Sequence, residues 1–163
     1  MSTRCAIIIK VKDEDLGKIK KFDKDKLPKG VKLSEWNCYG DEIGDETSKG
    51  VKLTKPYIGI YCHSDGYLDG VGKVLKEVFN DYEAALNLVV GGFCSVVWYD
   101  EVRHYANRKC EEWGYIKPIK GDTPIEVESH IGHNGYVYLL EDGEWGVLSG
   151  GEFIDYDNNT EID

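Results

Sequence analysis

The apolar residues of this chain come in short runs, and none approaches the roughly 18 residues that a membrane-spanning helix requires. Residues 4–12 read RCAIIIKVK, 57–62 YIGIYC, 93–99 FCSVVWY and 136–140 YVYLL. Each run is rich in β-branched or aromatic residues and is bounded by Gly, Pro or acidic positions. That pattern predicts strands at 4–12, central in the sheet for much of its length, at 57–62 and at 136–140, and a buried strand or an extended stretch at 93–99. A chain of 163 residues with this many strand-like runs builds one domain around one core.

Helical spacing appears between the runs. Val71, Val74, Leu75 and Val78 recur three to four positions apart, predicting a helix over 70–79 with Asp69 as its N-cap. Asn80 and Glu83 have capping-box spacing, predicting a second helix over 81–90, stopped by Gly91 and Gly92. Its core side would carry Tyr82, Leu86 and Val89 or Val90. Asp100 reads as the cap of a third helix over 101–112. Residues 124–129, PIEVES, alternate apolar and acidic, predicting a strand with Ile125 and Val127 inward. Asp142-Gly143 is a hairpin signal between YVYLL and EWGVL, and the sheet is expected to end there.

Together these read as an α+β fold: a mostly antiparallel sheet of five or so strands, with two or three helices packed on one face. Residues 1–150 form the domain. Residues 17–55 form an arm inserted between the first two strands, with a weak hairpin at 31–36 and 51–53. Residues 151–163 form an acidic tail, from which Phe153 and Ile154 could dock.

Charge is distributed unevenly. The chain holds 30 acidic and 20 basic residues, a net charge of −10. Residues 1–32 carry ten basic and five acidic side chains, whereas no Lys or Arg follows Lys120. The overall balance disfavours generic binding to nucleic acid, since phosphates need cations. It fits either ordinary solubility or an acidic surface aimed at a basic protein. The start offers four apolar residues before Lys10, too few for a secretion signal. A cytoplasmic protein without membrane contact is expected.

The five cysteines, Cys5, Cys38, Cys62, Cys94 and Cys110, contain no CxxC. Neither a disulfide framework nor a zinc knuckle is supported, and a reducing compartment fits. No GxGxxG or GxxxxGK[ST] motif marks a nucleotide site, and no cofactor is implied.

Two stretches could bear chemistry. Cys62, His63, Asp65 and Tyr67 lie where a strand gives way to a helix. An imidazole can activate a thiol within hydrogen-bond reach. Yet Cys62 and His63 are adjacent on a strand and point to opposite faces, so His63 would need Cys94 or Cys110 instead. The plainer reading has Cys62 in the core, with His63 and Asp65 setting the turn. His130 and His133 have a metal-ligand spacing, but they fall in a glycine-punctuated stretch and two ligands do not complete a site. The plainer reading is a loop. Trp36 and Tyr39 lie in the arm and could anchor a partner.

The start STRCAIII, the tract IYCHSDGYLDGVGKVLKEVFNDYEAALNLV and the late GYVYLLEDGEWGV resemble a family of small acidic proteins encoded by phages and prophages of Firmicutes and other gut bacteria. The likeness covers residues 2–9, 57–90 and 136–147. Ser64 stands where the family often shows Trp, and Leu68-Asp69 where it shows Pro-Glu. The arm is also longer here. The resemblance implies a genetic context rather than a mechanism. Small phage proteins often bind stoichiometrically to a host factor or a defence system, anti-CRISPR proteins among them, and acidic ones can imitate the charge of DNA.

The leading expectation is therefore a binding protein of phage type that inhibits or modulates a basic, nucleic-acid-handling host protein without contacting nucleic acid itself. Its contact residues would be Trp36, Tyr39, His63, Asp65, Tyr67, Glu126, Glu128, Glu141, Asp142, Glu144, Asp155 and Asp157. The alternative is a small enzyme or ligand-binding protein centred on Cys62, His63, Asp65 and Tyr67, with His130 and His133 in a metal-binding variant. A virion or assembly component is the third class.

Overall fold

The computed structural model describes residues 3–33, 50–104, 118–132, 135–149 and 152–154. Trp36, Tyr39, His133, Asp155 and Asp157 lie outside them, as do the C-terminal part of the helix expected over 101–112 and most of the tail.

The fold is α+β. Strand β1 (Cys5–Lys10) lies near the middle of the main sheet, antiparallel to β5 (Tyr57–Cys62) and parallel to β9 (Tyr136–Glu141). Its residues 5–9 are all buried, including Ile7, Ile8 and Ile9. This is why the run is apolar without alternation: both of its faces are covered. Beyond β9 come β10 (Glu144–Ser149) and β11 (Glu152–Ile154). The sheet therefore continues past 148: Leu148 pairs with Phe153 and Val147 with Ile154. On the other side of β5 follow β6 (Cys94–Val97), β7 (Glu101–His104) and β3 (Lys32–Leu33). The free edge of β5 is divided. Its first half pairs with β8 (Ile119–Gly121), whereas Cys62 pairs with Cys94 of β6. A separate small pair joins β2 (Ile19–Lys20) to β4 (Val51–Lys52).

Helices α1 (Lys73–Val78) and α2 (Tyr82–Val90) cover one face, giving the expected helical layer. On that face Tyr138, the register partner of Ile7, sends its hydroxyl to the Gly66 carbonyl at 2.7 Å. Trp145 Nε1 donates to the Phe79 carbonyl at the end of α1, at 2.9 Å. Helix α3 (Pro124–Ile131) lies against the other face, where Val127 closes on Gly59. A side chain at Gly59 would meet Val127 and Ile8 at under 3 Å, so the glycine allows the helix to approach the sheet.

Several local expectations are corrected. Residues 124–129 are helical, not extended. Thr123 caps the helix by accepting the Glu126 N–H, Pro124 occupies the first turn, and Gly132 ends it at φ 74°. Val127 and Ile131, four positions apart, are the buried pair, and Ile125 is 68% exposed. Alternation over six residues simply coincided with one apolar helical stripe. Residues 101–104 form a strand, not a helix: Val102 and His104 are buried, with Glu101 and Arg103 between them at intermediate exposure. Asp100 lies in the tight β6–β7 connection, closed by Trp98 N–H to the Glu101 carbonyl. Asp69 does not cap α1. It sits in an irregular turn over 68–72 broken at Gly70, and the helix begins only at Lys73. The cap of α2 is Asp81, which accepts the Ala84 N–H, rather than Asn80.

Among the described residues, the two sides of the hairpin expected at 31–36 and 51–53 pair elsewhere. Lys32–Leu33 pairs with β7 and Val51–Lys52 with β2. The described part of the arm is tied to the body. Phe22 is buried edge-on to the His104 ring, and Asn87 of α2 holds the backbone of Asp23 with two hydrogen bonds, of 2.8 and 2.9 Å.

Candidate partner-binding surface

Strand register sorts the candidate residues to two ends of the sheet. At one end, Glu144 faces Glu141, Lys10 faces Tyr57, and Tyr57 faces Gly121. Lys10 Nζ lies 3.3 Å from Glu141 Oε2, and the Tyr57 hydroxyl donates to the same oxygen at 3.3 Å. The hydrogen bond to Glu141 holds the Lys10 ammonium above its usual range. Partial burial, then the Glu141 charge, raise the Tyr57 phenol. Asp142 follows in the type I′ turn, where it and Gly143 both adopt positive φ, 56° and 82°. Asp142 and Glu144 are exposed.

The acidic character continues on both sides. Asp122, just after β8, pairs with Lys55 at 3.4 Å, and Glu126 returns a carboxylate oxygen to the Asp122 N–H at 2.8 Å. Glu128 is half-buried one position beyond the buried Val127. On the other flank, a cleft of about 500 Å³ opens between the end of β1 and the β9–β10 turn. Its walls include Asp13, Glu14 and Asp142, together with Lys10, Lys12 and Tyr82. Lys12 lays its ammonium 4.5 Å from the centre of the Tyr82 ring. The Tyr82 hydroxyl accepts the Lys12 N–H at 3.0 Å and donates to buried Asp15 at 2.8 Å. Burial, and then the bond to Asp15, push the Tyr82 phenol well up. This hydroxyl works as a fastener between the 13–15 turn and α2.

His63, Asp65 and Tyr67 lie at the opposite end, some 20 Å away along β5. They do not join the carboxylates in one surface. His63 Nδ1 shares a 2.7 Å hydrogen bond with the Tyr61 hydroxyl, and burial followed by the Arg4 charge lowers its pKa. Asp65 adopts φ 58°, and its carbonyl takes the Val71 N–H at 2.7 Å. The backbone of Asp65 thus shapes the turn, whereas the His63 ring bonds the Tyr61 side chain rather than the turn. Tyr67 is 39% exposed.

The thiols take another position. Cys5 is opposite Cys62, Cys62 opposite Cys94, and Cys94 opposite His104. Three cysteines and a histidine thus form one lateral row, all fully buried. Burial pushes the Cys5 and Cys94 thiols well above their usual range. Cys62 directs its sulfur toward the Ser64 carbonyl, away from His63. No group of three metal-ligating side chains converges among the described residues. His130 bonds its own helix, donating from Nδ1 to the Glu126 carbonyl at 2.8 Å.

Asp13, Glu14 and the Tyr57 and Tyr82 hydroxyls are absent from the sequence-based list. Asp122, too, is not among the expected contact residues. For Asp13 and Glu14 the only signal available was the acidic triplet beside an apolar run. The Lys12–Tyr82 contact spans 70 positions and leaves no local trace. Among the described residues are 19 acidic and 16 basic side chains. Much of the negative excess therefore belongs to other positions, and at the acidic end Lys10 and Lys55 stand among the carboxylates. No helix among the described residues is long and apolar enough to cross a membrane. Compared with family models, curated proteins and solved structures, the chain matches none.

Proposed function

We propose that this chain is a stoichiometric binding protein of phage type that acts in the host cytoplasm. It engages a basic, nucleic-acid-handling host protein, such as a defence effector, through the acidic end of its main sheet. The observation that carries this reading is the convergence of Asp122, Glu126, Asp142 and Glu144 at the end where β1 gives way to Asp13 and Glu14. Positions far apart in the chain meet there, and most of these carboxylates are exposed. Such a field speeds encounter with a cationic surface and favours it over neutral ones. The resemblance to phage proteins supports the host setting. At the opposite end, the burial of the thiols and the engagement of the His63 ring with the Tyr61 hydroxyl favour binding over thiol chemistry.

The test is capture of partners from host lysate with the tagged chain, followed by calorimetric titration of the purified partner at several salt concentrations. Affinity is expected to fall as salt rises. The Asp122→Asn/Asp142→Asn/Glu144→Gln variant should bind about tenfold more weakly, mainly through a slower on-rate. A salt-insensitive complex, or one untouched by the triple variant, overturns the proposal.

A further inference from the structure

The lysines of the arm are displayed from a backbone that is firmly held. Between Leu16 and Leu33 there are seven lysines and two aspartates. Lys18 and Lys20 lie 3.8 and 3.7 Å from buried Asp15. Lys21, Lys24, Lys26, Lys29 and Lys32 are all exposed and make no ion pair among the described residues. The two aspartates do not neutralise them as a pair: Asp23 spends one carboxylate oxygen on the Asp25 N–H at 2.9 Å. Of the neighbouring elements, α2 contributes Glu83 beside Lys20, Lys21 and Lys26, and β7 contributes Glu101 opposite Lys32. Among the described residues, cations therefore outnumber acids along this segment and its neighbours.

The segment has little regular structure of its own. Its rigidity comes from burying Phe22 and Val31, from the paired bonds between Asp23 and Asn87, and from the Lys32 N–H to the Asp100 carbonyl. A solvating loop needs none of these ties. Because the backbone is already ordered, a partner need not supply the entropy of fixing it.

We infer that this lysine face binds the phosphodiester backbone of nucleic acid without reading its sequence. Exposed ammonium groups that make no ion pair among the described residues meet the main requirement of such binding, the release of counterions from phosphates. The only aromatic ring in the segment, Phe22, is buried, so no stacking platform is offered to bases. The net charge of −10 disfavours such contact for the molecule as a whole, but beyond a Debye length of about 10 Å the distant carboxylates are screened and the local field governs. The inference is independent of the acidic-end reading, because it concerns other residues.

The experiment is fluorescence anisotropy of a labelled, mixed-sequence DNA duplex titrated with the full chain across a salt series. Five phosphate contacts predict binding at low salt, with a log–log salt slope of about −4 and no dependence on sequence. The Lys21→Gln/Lys24→Gln/Lys26→Gln/Lys29→Gln variant should flatten the slope by about 3.6 and weaken low-salt binding at least about tenfold. Lys73→Gln/Lys76→Gln on α1 should leave both unchanged. In the unaltered chain, DNA should protect the same four lysines from acetylation, which tests the face without any variant. The acidic-end triple variant should still bind DNA, which separates this inference from the proposed function. Absence of binding at low salt, sequence dependence, indifference to the quadruple variant, or binding to phosphatidylserine vesicles but not to DNA overturns the inference.

Discussion

His104 is a fully buried histidine whose protonation the fold opposes. Its Nε2 lies 3.1 Å from the Leu88 carbonyl, while Nδ1 has no hydrogen-bond partner. Burial lowers its pKa to about 4, against a smaller opposing effect of the carbonyl. The neutral ring is the native form. As pH falls below about 6.5, the unfolded chain takes up a proton that the folded chain refuses, so stability is present above that pH and is lost toward pH 4. Between pH 7.5 and 5 this one group should cost about 2 kcal/mol. Urea unfolding across that window should show the loss, and His104→Leu, although less stable at neutral pH, should show a smaller acid dependence. The neighbouring thiols make a second expectation at this scale. Cys5 and Cys94 combine full burial with raised pKa values, and the thiolate is the reactive form. Alkylation at pH 8 followed by peptide mapping should leave both unmodified in the folded chain and modify both in denaturant. Labelling of either under native conditions would reopen a nucleophilic role.

At the scale of elements, contact between the 68–72 turn and the sheet depends on a missing side chain. A Cβ at Gly72 would sit 2.9 Å from atoms of the Tyr138 ring, whose hydroxyl is committed to Gly66. Gly72→Ala should therefore destabilise by about 1–3 kcal/mol despite the better helix propensity of alanine. Thermal unfolding would measure it, and an unchanged midpoint would show that the ring can yield. Strands β1, β5 and β9 were legible in the sequence, because burial on both faces leaves continuous apolar runs, whereas the run that holds β6 was equally consistent with an extended stretch. The Asp142-Gly143 turn was legible because its left-handed conformations select those residues. Helix α3 was misread because six residues fit two periods. Thr123-Pro124 at its start and Gly132 at its end carried the decisive information. The strand at 101–104 was misread because Asp100 serves a tight turn as readily as a helix start.

At the scale of the whole molecule, lateral order decides what the candidate residues can do, and lateral order is not written locally. Nothing near Cys5, Cys62 or Cys94 announces that they share a row. Nothing near His63 and Glu141 announces that they lie at opposite ends. The expected contact residues are divided in space: Glu126, Asp142 and Glu144 lie at one end of the sheet, whereas His63, Asp65 and Tyr67 lie at the other. The two charge signs of the sequence are only partly separated: the arm carries mostly lysines, whereas the carboxylate-rich end of the sheet also holds Lys10, Lys12 and Lys55. The salt titrations proposed above address each place separately.

The divided edge of β5 has a mechanical corollary. Because β8 holds the beginning of that strand and β6 its end, each half of one edge depends on a different part of the chain. Helix α3 rests on β8 and also on β5 and β1, with Val127 buried over Gly59, so a change that weakens β8 is transmitted to the core through that helix. Asp122 and Glu126 hang on this attachment, whereas Asp142 and Glu144 are carried by the β9–β10 hairpin.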